Sequence, residues 1–214
     1  EIAPNLHRGA DGIWVVRTRS PVSYPDEGNR RYLEIEESSF WFRHRNACIL
    51  AAARALPPAG VIFDVGGGNG VVSLALHRAG LDVVLVERGP EGARNALEGG
   101  IETVVCCALE DAGVQPHALP DVGLFDVLEH LEDDVAFMQE VARLLRPGGL
   151  VYLTCPAYGF LWSVEDDYAG HRRRYTRHTL GSTLRSAGFT VEFSTYVFSL
   201  LPLPIFLLRA LPSR

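Results

Sequence analysis

Two stretches of the chain gather side chains able to move a proton. The first is Asp126-x-x-Glu129-His130. At the start of a helix these three lie at i, i+3 and i+4 and share one side of it. The second is Asp166-Asp167-Tyr168-Ala169-Gly170-His171-Arg172-Arg173-Arg174-Tyr175, with carboxylates, an imidazole and three guanidinium groups in one short run. His171 is the best single candidate for a general base, since an imidazole titrates near neutrality, and His130 is the next. The arginines could bind an anionic acceptor such as a phosphate, and Tyr158 and Trp162 could wall its pocket. Plainer uses exist for the same residues. Carboxylates at a helix N-terminus favour the macrodipole. A histidine can pack and bond a backbone group, and a charged run can be a solvated loop with internal salt bridges.

A third stretch holds no base but could hold a ligand. Phe63-Asp64-Val65-Gly66-Gly67-Gly68-Asn69-Gly70 takes an apolar run into a glycine cluster. Glycines let the backbone turn tightly and approach a bound molecule without a Cβ in the way. Glu87 ends the next apolar run, where a carboxylate can accept from both hydroxyls of an adenosine ribose. A nicotinamide dinucleotide and S-adenosylmethionine both satisfy this pair of features.

These groups need a scaffold, and the hydrophobic pattern describes one. Residues 37–56 read as a helix ending before Pro57-Pro58. Val61–Phe63, Val83–Val86, Val104–Cys107, Val122–Phe125 and Leu150–Thr154 are short apolar runs typical of buried strands. Val71–Leu76 is helical and closed by Gly80. Leu131, Val135, Met138, Val141 and Leu145 mark one face of a helix that Pro147-Gly148-Gly149 ends. Leu180, Leu184 and Ala187 mark another, stopped by Gly188, and Phe189–Phe193 begins a further strand. Ile13–Val16 could form a single edge strand. Strands alternating with helices imply an α/β fold, a doubly wound, mostly parallel sheet with helices on both faces. Its ligand sits at the carboxyl ends of the strands. The expected organisation is an N-terminal extension over 1–36, a ligand-binding domain over 37–196 and an apolar segment over 197–214.

Three segments together carry a family resemblance. Asp64–Gly70 resembles motif I of the class I S-adenosylmethionine (SAM)-dependent methyltransferases. Phe125-Asp126-Val127-Leu128-Glu129-His130-Leu131 resembles the segment after their fourth strand. Leu144-Leu145-Arg146-Pro147-Gly148-Gly149-Leu150 resembles the turn before their fifth. Phe40-Trp41-Phe42-Arg43-His44-Arg45-Asn46 also resembles a helix that precedes motif I in many bacterial members. The overall likeness is to the ubiquinone-biosynthesis O-methyltransferase type.

This resemblance implies SAM as cofactor and assigns roles by position. Asp64 and the backbone of Gly66, Gly67 and Gly68 meet the methionine end. Glu87 holds the ribose, with Arg88 beside it in the cofactor-binding set. Leu109 and Glu110 flank the adenine, and Leu124 and Phe125 line the cofactor opposite the glycines. Arg45 could pair with the cofactor carboxylate. The family often has Asp directly after the third strand. Here that position is Ala108, so Glu110 or backbone groups substitute. Asp126, Glu129, His130 and His171 also resemble, in type and order, the metal-binding residues of small-RNA 2′-O-methyltransferases. The ubiquinone enzymes share the Glu-His pair. A divalent metal is therefore a conditional expectation, with Mn²⁺, Fe²⁺ or Zn²⁺ suiting imidazole better than Mg²⁺. Asp in place of the family's Glu at position 126 shortens that ligand's reach.

The methyl of a sulfonium is already activated, so the protein supplies alignment. A hydroxyl acceptor also needs its proton removed, whereas a carboxylate does not. The implied activity is methyl transfer to a small-molecule acceptor, O-directed. The alternatives are a lipid-linked or glycan acceptor, and a non-catalytic SAM-binding protein. Intact Asp64, Gly66, Gly68 and Glu87 argue against decay of the cofactor site. The net charge of −6 gives no bulk attraction for nucleic acid, and none is expected as partner. The four cysteines form no Cys-x-x-Cys pair and read as free thiols of a cytoplasmic protein. Residues 197–210 are almost wholly apolar, too short to span a bilayer, and interrupted by Pro202 and Pro204. They suit a sheet cover, a homodimer interface or a peripheral membrane contact.

Overall fold

The computed structural model describes residues 3–16, 36 and 39–210. Two compact units divide the chain. One spans Glu1–Phe125 and Arg143–Leu153, the other Asp126–Ala142 and Thr154–Arg214.

The first unit carries the sheet. Its elements are β1 (Leu6–Arg8), β2 (Trp14–Val16), α1 (Phe40–Ala55), β3 (Ile62–Val65), α2 (Val71–Arg78), β4 (Val83–Val86), α3 (Pro90–Glu98), β5 (Val104–Cys106) and β6 (Asp121–Phe125). Strand β7 (Val151–Thr154) completes a seven-stranded sheet of order β1-β2-β5-β4-β3-β6-β7. The pairs β2–β5, β5–β4, β4–β3 and β3–β6 are parallel, and β1–β2 is antiparallel. Every residue of β3 and β6 is buried, as expected for parallel strands covered on both faces. One apolar cluster joins Ile13, Leu85, Ala93, Ala96 and Val104. A second joins Ile49, Ala53, Ile62, Val72, Leu76 and Phe125. The Ile13–Val16 run is not an edge. Strand β2 pairs with β5 on one side and β1 on the other, so β1 takes the edge position and satisfies β2's outer backbone groups. Both strands thus join the sheet from within the expected N-terminal extension.

The second unit contains α4 (Asp134–Leu144, through Ala142), α5 (Val164–Ala169), α6 (Arg177–Ser186) and α7 (Pro202–Ala210). Two expectations change here. Residues 126–130 do not start a helix. Asp126 has φ 59°, Leu128–His130 form a 3-10 turn, and α4 begins only at Asp134. Phe189–Phe193 forms no strand. The Phe189 amide donates to Leu184 O to close α6, and no ladder partner pairs with the run among the described residues. Pro202 does not break α7 but opens it, at the end where a proline's missing N–H is no loss.

Candidate functional site

In the first unit, the loop between β3 and α2 is pressed against a buried carboxylate. Asp64 is fully buried inside β3, and Ser73 Oγ donates to its Oδ2 at 2.6 Å. The other oxygen, Oδ1, is buried with no hydrogen-bond partner among the described residues. Burial raises the Asp64 carboxyl to about 6, against the pull of Ser73 and the Arg45 charge. A Cβ on Gly67 would stand 2.8 Å from Asp64 Oδ2 and 2.9 Å from Leu85 Cδ1, so only glycine lets the loop lie this close. Gly68 differs. Its φ is +56° and a Cβ there would meet nothing within 4 Å, so its glycine serves the left-handed backbone. Helix α2 follows with no side-chain cap at its N-terminus.

Glu87 braces this loop. Its Oε2 accepts from the Gly68 amide at 2.9 Å and its Oε1 from the Gly89 amide at 2.6 Å. Burial raises its carboxyl above the usual range, opposed by these amides. Each oxygen keeps a second lone pair, enough to accept the two hydroxyls of a ribose. Arg88 pairs with Glu110 at 3.4 Å on the exposed surface. Leu109 is buried in a 3-10 turn, Leu109–Ala112. Leu124 is buried, and the Phe125 ring packs in the core with Val72 and Leu76. These two side chains are core rather than open lining. Arg45 stacks over the Phe42 ring at 4.9 Å and reaches Asn46 Oδ1 at 3.5 Å.

Sequence reasoning missed Ser73, Asn69 and Asn95. Asn95 Nδ2 donates to Asn69 Oδ1 at 2.9 Å, and Asn69 Nδ2 donates to Glu36 Oε2 at 3.1 Å. The available signal for Ser73 was a lone hydroxyl among the apolar residues of α2.

The second unit gathers Glu129, His130 and His171. One ligand atom from each lies within 4.8 Å of the others, and Glu129 is fully buried. The His130 and His171 rings meet edge to face, centroids 4.8 Å apart. The Arg172 amide, donating to Glu129 O at 2.7 Å, ties the two chain segments together. Asp126 is not in this cluster. Its left-handed backbone takes it off any shared helix face, and its Oδ1 accepts from Thr154 Oγ1 at 2.9 Å. Burial, then the neighbouring His171, lowers the His130 pKa, which favours the neutral imidazole.

His171 is oriented by a residue that sequence reasoning left unassigned. Its Nδ1 lies 2.8 Å from Asp166 Oδ1. With Nδ1–H donating to that carboxylate, Nε2 carries the lone pair. Arg174 grips the same carboxylate with both arms of its fork, Nε to Oδ1 and Nη2 to Oδ2, each 2.8 Å. The Ser163 amide adds a bond to Oδ2 at 2.8 Å. Burial alone would raise the Asp166 carboxyl, but the bonds from Arg174, His171 and Ser163 outweigh it and hold it well below the usual range. Arg173 donates to Leu131 O and Glu132 O and pairs with Asp134 at 3.1 Å. Arg173 and Arg174 are thus committed to protein partners, which corrects the expectation that the arginine run binds an anion. Only Arg172 presents an exposed side chain. Trp162 Nε1 donates to Asp167 Oδ1 at 3.0 Å, and the Tyr158 ring stacks on Tyr196 at 4.8 Å. Burial and nearby carboxylates push the Cys155 thiol well up, so it stays protonated and is no nucleophile.

Comparison with known proteins bears on the family and the fold. The methyltransferase domain family matches residues 41–193. The ubiquinone biosynthesis O-methyltransferase of Xanthomonas campestris is 34% identical over 109 residues, 48% of this chain and 46% of that protein. The enzyme of the same name from Xanthomonas axonopodis is 31% identical over 160 residues, 66% of this chain and 67% of that one. The chain thus spans about half the length of the first of these curated relatives. A SAM-dependent methyltransferase structure from Thermotoga maritima shares the fold, with a TM-score of 0.64 at 18% identity over 78% of this chain and 79% of that one. From the residues 41–193 that match and the sheet that carries them, the chain belongs to the class I SAM-dependent methyltransferase family.

Proposed function

We propose that this protein transfers the methyl group of SAM to a hydroxyl of a small-molecule acceptor. The first unit holds the cofactor and the second activates the acceptor. The orphaned Asp64 Oδ1 is the observation that fits SAM to the first unit, because the cofactor's cations would satisfy that buried acceptor. Glu87 takes the ribose on its remaining lone pairs. The Gly68 backbone is free to lie against the ligand.

The observation that carries O-direction is the His171–Asp166–Arg174 relay. A hydroxyl needs a base to take its proton, and an oriented imidazole with a free Nε2 lone pair is one. The names of the similar ubiquinone enzymes support the same reading. Glu129, His130 and His171 could instead hold a divalent ion, since a carboxylate with two imidazoles suits Mn²⁺, Fe²⁺ or Zn²⁺. A bound ion supplies Lewis-acid chemistry that makes a hydroxyl easier to ionise. Asp166 then orients His171 from its far nitrogen in either case.

The test is transfer of labelled methyl from SAM to phenol, carboxylate and amine acceptors, with and without exhaustive chelation. A methyl ether is the expected product, and His171→Ala should slow its formation about 100-fold with SAM affinity unchanged. Products confined to esters or methylamines would overturn O-direction. Activity untouched by chelation would remove the metal and leave His171 as the base. SAM binding without transfer to any acceptor, including extracts, would favour the non-catalytic reading.

A further inference from the structure

The second unit presents an apolar face that its own core does not use. Leu200, Leu203, Phe206 and Leu207 are 86%, 66%, 44% and 53% exposed. The last three stand at i, i+3 and i+4 on α7 and so share one side of it. The face continues through aromatic contacts. Phe206 meets the edge of Phe160 at 5.7 Å, Phe160 lies 5.3 Å from Tyr158, and Tyr158 stacks on Tyr196.

The segment that carries this face is basic. Residues 193–214 contain two arginines and no acidic residue, in a chain whose total is −6. A third arginine is tied to the face directly. The Arg177 amide donates to Tyr196 Oη at 3.1 Å and its Nε to Ser194 Oγ at 3.2 Å, beside the aromatic row. An exposed apolar helix face within a basic tract is the signature of a segment lying in the interface of an anionic bilayer. Helix α7 has nine residues, about 14 Å of length, too short to cross a hydrocarbon core of about 30 Å. No described helix is long and apolar enough to do so.

We infer that α7 and the adjoining aromatic row dock this protein on the surface of a membrane rich in anionic lipid. Leu203, Phe206 and Leu207 enter the acyl boundary while the arginines remain at the head groups. The inference does not depend on which acceptor is methylated. A surface of this kind gives access to an acceptor that itself resides in lipid.

The experiment is co-sedimentation of the full chain with vesicles of equimolar phosphatidylglycerol and phosphatidylcholine, and with vesicles of phosphatidylcholine alone. Binding to the anionic vesicles should exceed binding to the neutral ones by about tenfold, and about 0.5 M salt should abolish the difference. The double variant L203E/L207E should lose at least about tenfold in vesicle affinity, with its melting temperature and SAM affinity unchanged. Leu200→Glu, outside the helix, gives the same readout if the double variant folds poorly. Arg177→Gln should weaken anionic binding about fivefold. Wild type and variants sedimenting alike would overturn the proposal. A concentration-dependent dimer that L203E/L207E dissolves, with no vesicle binding, would overturn it in favour of a second copy on this face.

Discussion

In the sheet unit, Glu87 is held by two backbone amides, those of Gly68 and Gly89. In the other unit, Asp166 is held by an arginine fork, a histidine ring and one amide. The two carboxyls respond in opposite directions. Burial prevails at Glu87 and raises it, whereas the hydrogen bonds and the Arg174 charge prevail at Asp166 and hold it down. Asp64 belongs with Glu87, raised to about 6 by burial with one oxygen unsatisfied. The contrast is between Asp64, buried in the first unit with one oxygen left for a ligand, and Asp166 in the second. The second satisfies Asp166 internally and leaves the imidazoles to do chemistry.

The sharpest way to break this division is Gly68→Val. A β-branched residue is strained at φ +56°, and its side chain would occupy the open space above the loop. SAM affinity by isothermal titration should fall about 100-fold or more. Divalent-ion binding by the imidazole cluster, if present in the parent, should persist. Native SAM affinity in the variant would show that the cofactor does not lie on this loop.

Asp166→Asn tests the other unit. It removes the charge facing Arg174 and the acceptor that fixes the His171 tautomer. Stability should drop by about 3–5 kcal/mol, as when one partner of a buried pair is lost, and turnover by about 10- to 100-fold. A positioning role predicts a shifted pH profile for turnover, partial rescue by Asp166→Glu and an unchanged Kd for SAM. If SAM affinity falls in step with turnover, the roles of the two units are not separable.

The smallest effect is a pH dependence in the first unit. Asp64 titrates about 6 when folded, against an ordinary 3.8, so the folded state keeps a proton that the unfolded chain releases between those values. Stability therefore falls as pH rises through that window, by up to roughly 3 kcal/mol. It changes no further from this group above it. Asp64→Asn should flatten this slope in thermal melts. A cationic cofactor favours the ionised carboxyl, so SAM should bind up to about tenfold more tightly at pH 7 than at pH 5. Equal affinity at both values would move the cofactor's cations away from Asp64.

Much of the first unit was legible before the fold was known. Strands β3, β5 and β6 are near-continuous apolar runs because both faces of a parallel sheet are buried, and the glycine loop follows β3 directly. The failures came where a local pattern needed a distant partner. Phe189–Phe193 has strand-forming residues, but a strand exists only with a neighbour, and none pairs with it among the described residues. Asp126 was spaced for a helix face, and its positive φ places it elsewhere. Ile13–Val16 was read as a possible edge because nothing local marks β1 as its second partner.

The sequence by itself determined the glycine loop, the carboxylate at the end of β4, the strand–helix alternation and the basic, apolar character of the C-terminal stretch. Each is a property of backbone freedom, burial or net charge that neighbouring residues carry together. Only the tertiary structure decided that Asp166, rather than any of the five acidic residues from 126 to 134 or the two beside it, is the partner of both His171 and Arg174. It also decided that Glu129 and His130 meet His171 while Asp126 does not, through one amide bond from Arg172 to Glu129. Charge pairing is degenerate along a chain, because any carboxylate can accept from any guanidinium. The choice is made by which backbone segments the fold brings within about 3 Å of each other.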